Sequence, residues 1–245
     1  MVRLLSAGRT HVGLLRSNNE DAYIAMSEAG VFAVSDGMGG AAAGEIASRY
    51  FIEAVQQVFI DHVLISKEAN GALVEKVFKR ANKTILKHGA HNPQDEGLGC
   101  TGDLLVFYST NYVIGHVGDS RIYLAREGHL RQLTKDQSLV QGLVDEGILT
   151  PEEARHHPRK NIILQALGTD LSVVPDILKD EAFKHDIFLL CSDGLTDMVD
   201  DSIIRNTLIS PKALDVKAES LIEAALAGGG RDNVTVVLCE VEIRD

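Results

Sequence analysis

Basic residues are the scarcer charge in this 245-residue chain: 24 Lys and Arg stand against 35 Asp and Glu, a formal net charge of −11. Nucleic-acid binding and anchoring on an anionic membrane both need a basic face, so neither is expected. Cysteine is also sparse. Cys100, Cys191 and Cys239 form an odd, widely spaced set without a CxxC. That excludes a disulfide framework and points to a reducing compartment, cytoplasmic by default. No apolar run approaches the ~18–20 residues of a membrane-spanning helix. The stretch from Met1 to Gly13 has neither the long apolar segment nor the cleavage site of a secretory leader. Only five prolines occur, with no linker and no fixed-period repeat. One domain over residues 1–245 is therefore expected, and a chain this long needs no disulfide staples.

What is present is an ordinary globular composition, 45% hydrophobic and 24% charged. Two segments echo each other. Val31-Phe32-Ala33-Val34-Ser35-Asp36-Gly37 and Ile187-Phe188-Leu189-Leu190-Cys191-Ser192-Asp193-Gly194 are short apolar runs that each end in Ser-Asp-Gly. Both are too short for a helix and read as buried strands. Further strands are expected at Tyr23–Met26, Asp103–Tyr108, Tyr112–Val117, Arg121–Arg126 and Val234–Val241. Ser109-Thr110-Asn111 reads as a hairpin loop. Helical stripes begin at Ile46, at Val74 and at Leu214. Lys135 to Lys160 is polar and punctuated by Gly and Pro, and reads as an irregular surface excursion. Strands come in runs and helices in pairs, which favours antiparallel sheets with helices packed outside over a doubly wound parallel fold.

Acids recur where these strands begin or end. Asp36 and Asp193 each precede a glycine, Asp119 follows Gly118, Asp232 precedes the last strand, and Glu20-Asp21 precede the strand at Tyr23. Any single Asp-Gly is best read as a turn. Taken together, carboxylates converging at one sheet edge would repel unless a cation held them. The donors are hard oxygens with no histidine or cysteine cluster among them, so Mg²⁺, Mn²⁺ or Ca²⁺ is expected rather than Zn²⁺. The fixed acidic spacing of an EF-hand is absent, which argues against a Ca²⁺ sensor. Such a site fits a two-metal hydrolase acting on phosphate.

Six stretches now carry a resemblance. They are Arg16-Ser17-Asn18-Asn19-Glu20-Asp21-Ala22, Val34-Ser35-Asp36-Gly37-Met38-Gly39-Gly40, Gly115-His116-Val117-Gly118-Asp119-Ser120-Arg121, Gln165-Ala166-Leu167-Gly168, Cys191-Ser192-Asp193-Gly194-Leu195-Thr196-Asp197 and Arg231-Asp232-Asn233-Val234-Thr235. In this order, across nearly the whole chain, they resemble the metal-dependent serine/threonine protein phosphatases of the protein phosphatase 2C type, in the compact bacterial form.

The resemblance implies an α+β, four-layer αββα sandwich, two mainly antiparallel sheets flanked by helices, with metals at one end and a flap at about 135–160. It implies two Mn²⁺ or Mg²⁺ ions, with a third, weaker site. Asp36 would bridge both ions, the Gly37 carbonyl would join one, and Asp193 and Asp232 would hold the second. Glu20 and Asp21 would hold metal-bound waters, and Asp119, Asp193 and Asp197 the third site. Arg16 would grip the substrate phosphate. The implied reaction is direct attack of a metal-bridging hydroxide on phosphoserine or phosphothreonine in proteins, reversing a serine/threonine kinase, by a cytoplasmic monomer in signal transduction. Two alternatives are a catalytically silent regulatory module and a phosphatase dedicated to one regulator, such as an anti-sigma antagonist.

The sequence departs from that pattern twice. Met38 stands where some members carry a histidine that can act as general acid. Gly99-Cys100-Thr101-Gly102-Asp103 replaces a Gly-Met-Gly-Thr-Thr type of run. His156 and His157 are expected to be solvated, Cys191 to be structural, and Arg121 to support its strand.

Overall fold

The computed structural model describes residues 2–39, 44–59 and 67–243, which leaves Gly40 outside the described residues. Among the described residues, twelve strands and seven α-helices follow in chain order: β1 (Val2–His11), β2 (Ala22–Met26), β3 (Val31–Ser35), β4 (Gly37–Met38), α1 (Gly44–Phe59), α2 (Lys67–His91), β5 (Gly99–Cys100), β6 (Gly102–Tyr108), β7 (Asn111–Val117), β8 (Arg121–Arg126), β9 (His129–Gln132), α3 (Leu139–Asp145), α4 (Pro151–Arg155), β10 (Asp176–Glu181), β11 (Ile187–Cys191), α5 (Asp193–Thr196), α6 (Asp201–Leu208), α7 (Leu214–Ala227) and β12 (Val234–Ile243). One five-stranded sheet runs β1-β12-β11-β8-β9 and the other β10-β7-β6-β3-β2; β4 and β5 pair on their own. Every pairing is antiparallel.

The alternation of side chains along each strand explains the layering. On β6, Leu105 and Phe107 face the opposite sheet, while Leu104 and Val106 face helices. The middle layer joins Phe32, Leu105, Phe107, Ile114, Phe188 and Leu190. Phe107 meets Phe188 edge-on at 5.3 Å, and Tyr112 meets it at 4.9 Å, within the range that aromatic pairs favour. On one outer face the stripes of α1 and α2 bury Phe51, Val55, Val74, Phe78 and Ile85. On the other, α7 buries Leu221 and Ala225, and α6 buries Ile204. The four-layer expectation therefore holds. No helix among the described residues is long and apolar enough to cross a membrane.

The expected hairpin loop is shorter than read. Asn111 pairs with Tyr108 and so belongs to the ladder. Ser109 and Thr110 make the turn, Ser109 at φ +52°. Three strands carried no usable pattern. β1 is interrupted by Ser6, Ala7 and Gly8, yet it pairs with β12 through ten positions. β9 and β10 are polar edge strands, and their hydrophobic alternation is correspondingly weak.

Register fixes where the loops gather. Ala22 pairs with Ser35, Val34 with Asp103, and Gly102 with Val117. In the other sheet Cys191 pairs with Arg121 and Val236, and His11 with Val234. The start of β2, the ends of β3, β7 and β11 and the starts of β8 and β12 therefore share one end of the sandwich. Glu20, Asp21, Asp36, Asp119, Asp193 and Asp232 each lie beside one of these points, and Asp197 follows at the end of α5.

Candidate active site

The backbone of this end is held by uncharged side chains. Asn233 accepts from the Glu20 amide at 2.7 Å and donates to the carbonyls of Val12 and Asn18, both at 2.9 Å. One buried amide thus ties the β1–β2 loop to the start of β12. Thr101 does the same for Asp36: its Oγ1 accepts from the Asp36 amide, and its own amide donates to the Asp36 carbonyl, each at 2.9 Å. Ser192 donates to Asp21 Oδ2 at 2.7 Å and accepts from the Thr235 amide at 3.0 Å. Sequence reading assigned none of these three a role, although Asn233 and Ser192 lie inside quoted motifs. Gly37 admits no side chain, because an added Cβ would strike the backbone carbonyl of Gly44 at the start of α1.

The carboxylates then face one another. Asp21, Asp36 and Asp193 keep some exposure, yet Asp21 Oδ1 and Asp193 Oδ1 are sealed from water and lack a hydrogen-bond partner. Burial pushes Asp36 well above the usual carboxylate range, and Asp21, Asp193, Asp119 and Asp232 push it further. Burial also lifts Asp193 far up, followed by Asp119, Asp197, Asp232 and Asp21. Asp21 rises to about 6 and Asp119 to about 7, burial again being the main cause. Glu20 is raised by burial and by Glu45. Buried carboxylates that resist ionisation, and do so further because of one another, are groups whose charge a bound cation would stabilise. Among the described residues no three His, Cys, Asp or Glu side chains enclose a single ion. The donors are all oxygens, a set that fits hard cations such as Mg²⁺, which take carboxylates and keep waters.

Two rim contacts qualify the expectations. Arg16 donates from Nη2 to Asp232 Oδ2 at 2.7 Å, so the arginine expected on phosphate rests on an expected metal ligand. Asp232 first and Glu20 and Asp193 more weakly raise the Arg16 pKa against the opposing effect of burial. Asp197, expected at a third site, is paired with Lys160. Residues 135–160 cover this side through α3 and α4. Arg155 donates to the Thr196 carbonyl at 3.2 Å and to Asp200 at 3.0 Å. A cavity of about 350 Å³ lies beneath, bounded by Asp119, Asp193, Asp197, Arg155 and Lys160. His156 pairs with Glu152 and His157 accepts from the Arg159 amide, so both are engaged within the excursion. Cys191 is buried in β11, and Arg121 holds Asp136 and Tyr123.

The raised carboxyls dictate a pH dependence. Unfolded Asp titrates near 3.9, so between about pH 4 and 7 the cation-free fold holds more protons than the unfolded chain. Their contribution to stability is complete below that window and lost as pH rises through it. In chelator, the melting temperature should fall by ~5 °C or more between pH 5 and 7.5, and Mn²⁺ should restore it. A flat profile with no Mn²⁺ effect would contradict the cluster's electrostatics.

The comparisons with known proteins agree with this geometry. The sequence model described as "Protein phosphatase 2C" matches residues 8–211. The Mycobacterium tuberculosis serine/threonine protein phosphatase PstP is 44% identical over 238 residues, which cover 96% of this chain. The chain spans only 44% of that relative's length. A serine/threonine phosphatase of Listeria monocytogenes is 36% identical, with 96% of this chain and 95% of that protein covered. The crystal structure of the PstP catalytic domain in complex with two manganese ions superposes with a TM-score of 0.91 at 40% identity, covering 99% of this chain and 100% of that one. In sequence and in fold, the chain belongs to the protein phosphatase 2C family.

Proposed function

We propose that the chain is a divalent-cation-dependent phosphatase of phosphoserine and phosphothreonine in proteins. The observation that carries this is the set of mutually destabilised carboxylates from separate segments, two with buried unpartnered oxygens, beneath a cleft bordered by cationic side chains. Asp36 and the Gly37 carbonyl, with Asp193 and Asp232, would hold two Mn²⁺ or Mg²⁺ ions. Glu20 and Asp21 would orient water on them, and Asp119, Asp193 and Asp197 would form a weaker third site. When bound, the two ions supply Lewis acidity and a nucleophilic water at neutral pH.

The chain's own groups do the rest. Arg16 offers a planar donor fork to the phosphate oxygens and offsets charge that grows on them. Cys100 is buried, and burial pushes its thiol up to about 12; burial drives Cys191 higher still. Neither is a thiolate nucleophile, which supports direct attack by water without a phospho-enzyme. Met38 cannot donate a proton, so the leaving group takes its proton from water or from another residue. Residues 1–245 form one catalytic domain whose flap borders the substrate. A serine/threonine kinase is its counterpart. Three buried free thiols suit the cytoplasm.

Hydrolysis of p-nitrophenyl phosphate and of a phosphothreonine peptide tests the reading. Phosphate release should require Mn²⁺ or Mg²⁺ and cease in EDTA. No metal-dependent release from either substrate would favour a silent binding module.

A further inference from the structure

One buried carboxylate stands apart from the acidic cluster. Asp103 of β6 is fully buried and lies across from His116 of β7, which is 1% exposed. Both side chains point into the inter-sheet layer, as Leu105 and Ile114 do two residues away. His116 Nδ1 is 2.8 Å from Asp103 Oδ1, and its Nε2 is 3.0 Å from the carbonyl oxygen of Lys135. A carbonyl only accepts, so Nε2 carries a hydrogen. The proton between Nδ1 and Oδ1 is then all that keeps the buried pair from a net negative charge. Asp103 Oδ2 is buried without a partner, so His116 is the carboxylate's sole described hydrogen-bond partner.

Lys135 opens the flap, and its neighbours are held from the same place. Arg121 grips Asp136 through Nε and Nη2, at 2.8 and 2.7 Å. Gln137 donates its amide to the Gly118 carbonyl at 2.7 Å, and its Oε1 accepts from the Gly118 amide at 2.9 Å. Ser138 bridges to Ile163, just past the flap's far end, and caps α3. His116, Gly118 and Arg121 flank Asp119 in sequence, so the clamp on the flap root and the edge of the acidic cluster are built on one turn.

We propose that the Asp103–His116 pair is a positioning element for the flap: the imidazole N–H fixes Lys135 and so sets how the flap stands over the Asp119 side of the cleft. Asp103 supplies the charge that keeps the imidazole protonated and its ring fixed. The two residues touch no reacting atom. Their effect on turnover rests on the phosphatase reading; their effect on the flap does not.

Two variants test this. Asp103→Asn keeps a hydrogen bond to Nδ1 but removes the charge. The double variant Asp103→Leu/His116→Leu removes both polar groups and the hold on Lys135. Backbone amide exchange over residues 135–164 should accelerate at least tenfold in the double variant and less in Asp103→Asn, while β11 and β12 keep their protection. Turnover of p-nitrophenyl phosphate should stay within twofold, and kcat/KM for a phosphothreonine peptide should fall at least fivefold. Unchanged flap exchange in both variants would overturn the proposal. So would exchange that accelerates equally through β11 and β12, which marks a role in the core alone. Lack of metal-dependent turnover in the unaltered protein would sink the phosphatase reading and leave the exchange result standing.

Discussion

Replacing Asp36 with asparagine should lower Mn²⁺-dependent phosphate release at least ~10³-fold, a loss of ~4 kcal/mol in transition-state stabilisation. The fold should persist, because the backbone at Asp36 is held on both sides by Thr101 and not by its own carboxylate. The amide keeps the shape and discards the charge. It also relieves the repulsion that Asp21, Asp193, Asp119 and Asp232 exert at this point. In chelator, the melting temperature of the variant should therefore rise above that of the unaltered protein. Activity and cation-free stability moving in opposite directions is expected of a site held under electrostatic strain for function. A variant that loses both together would show that Asp36 is structural.

Arg16→Ala should reduce kcat/KM for a phosphothreonine peptide by ~10–100-fold, the range for loss of a charge-assisted hydrogen bond. Arg16→Lys should recover little of it, since an ammonium lacks the planar fork. The contact with Asp232 supplies a competing account, in which Arg16 only steadies an acid. The two separate on metal dependence. If Arg16 serves phosphate, the Mn²⁺ concentration for half-maximal rate stays put or falls, because a competitor for Asp232 has gone. If it serves Asp232, that concentration rises, and saturating Mn²⁺ restores the rate.

The layered fold and the placing of the acids were legible in the sequence because both rest on strong local patterns. The runs before Asp36 and Asp193 are continuous apolar strands, and strand ends in antiparallel sheets gather where register puts them. β1 was not legible because Ser6, Ala7 and Gly8 break its alternation, and only pairing with β12 makes it a strand. Thr101 and Asn233 were invisible for another reason. Their importance comes from backbone groups 65 and 213 residues away in the chain, and no local signal marks such a partner. In the sequence Asp103 stands out as a departure from a family run and as the start of an expected strand. Its meaning needed the cross-strand register that puts it against His116. The contacts of Arg16 with Asp232 and of Lys160 with Asp197 were likewise beyond reach, since spacing along the chain does not tell which cation lies beside which acid.

Central to the proposed function is the holding of divalent cations by the acid cluster. Counting bound Mn²⁺ addresses it without relying on turnover. Chelator-treated protein would be titrated with Mn²⁺ while the free ion is read by electron paramagnetic resonance. About two ions per chain should bind tightly, as in a two-metal hydrolase, with fewer in Asp36→Asn. Binding of less than one ion at saturation, or identical binding curves for the two proteins, would contradict it.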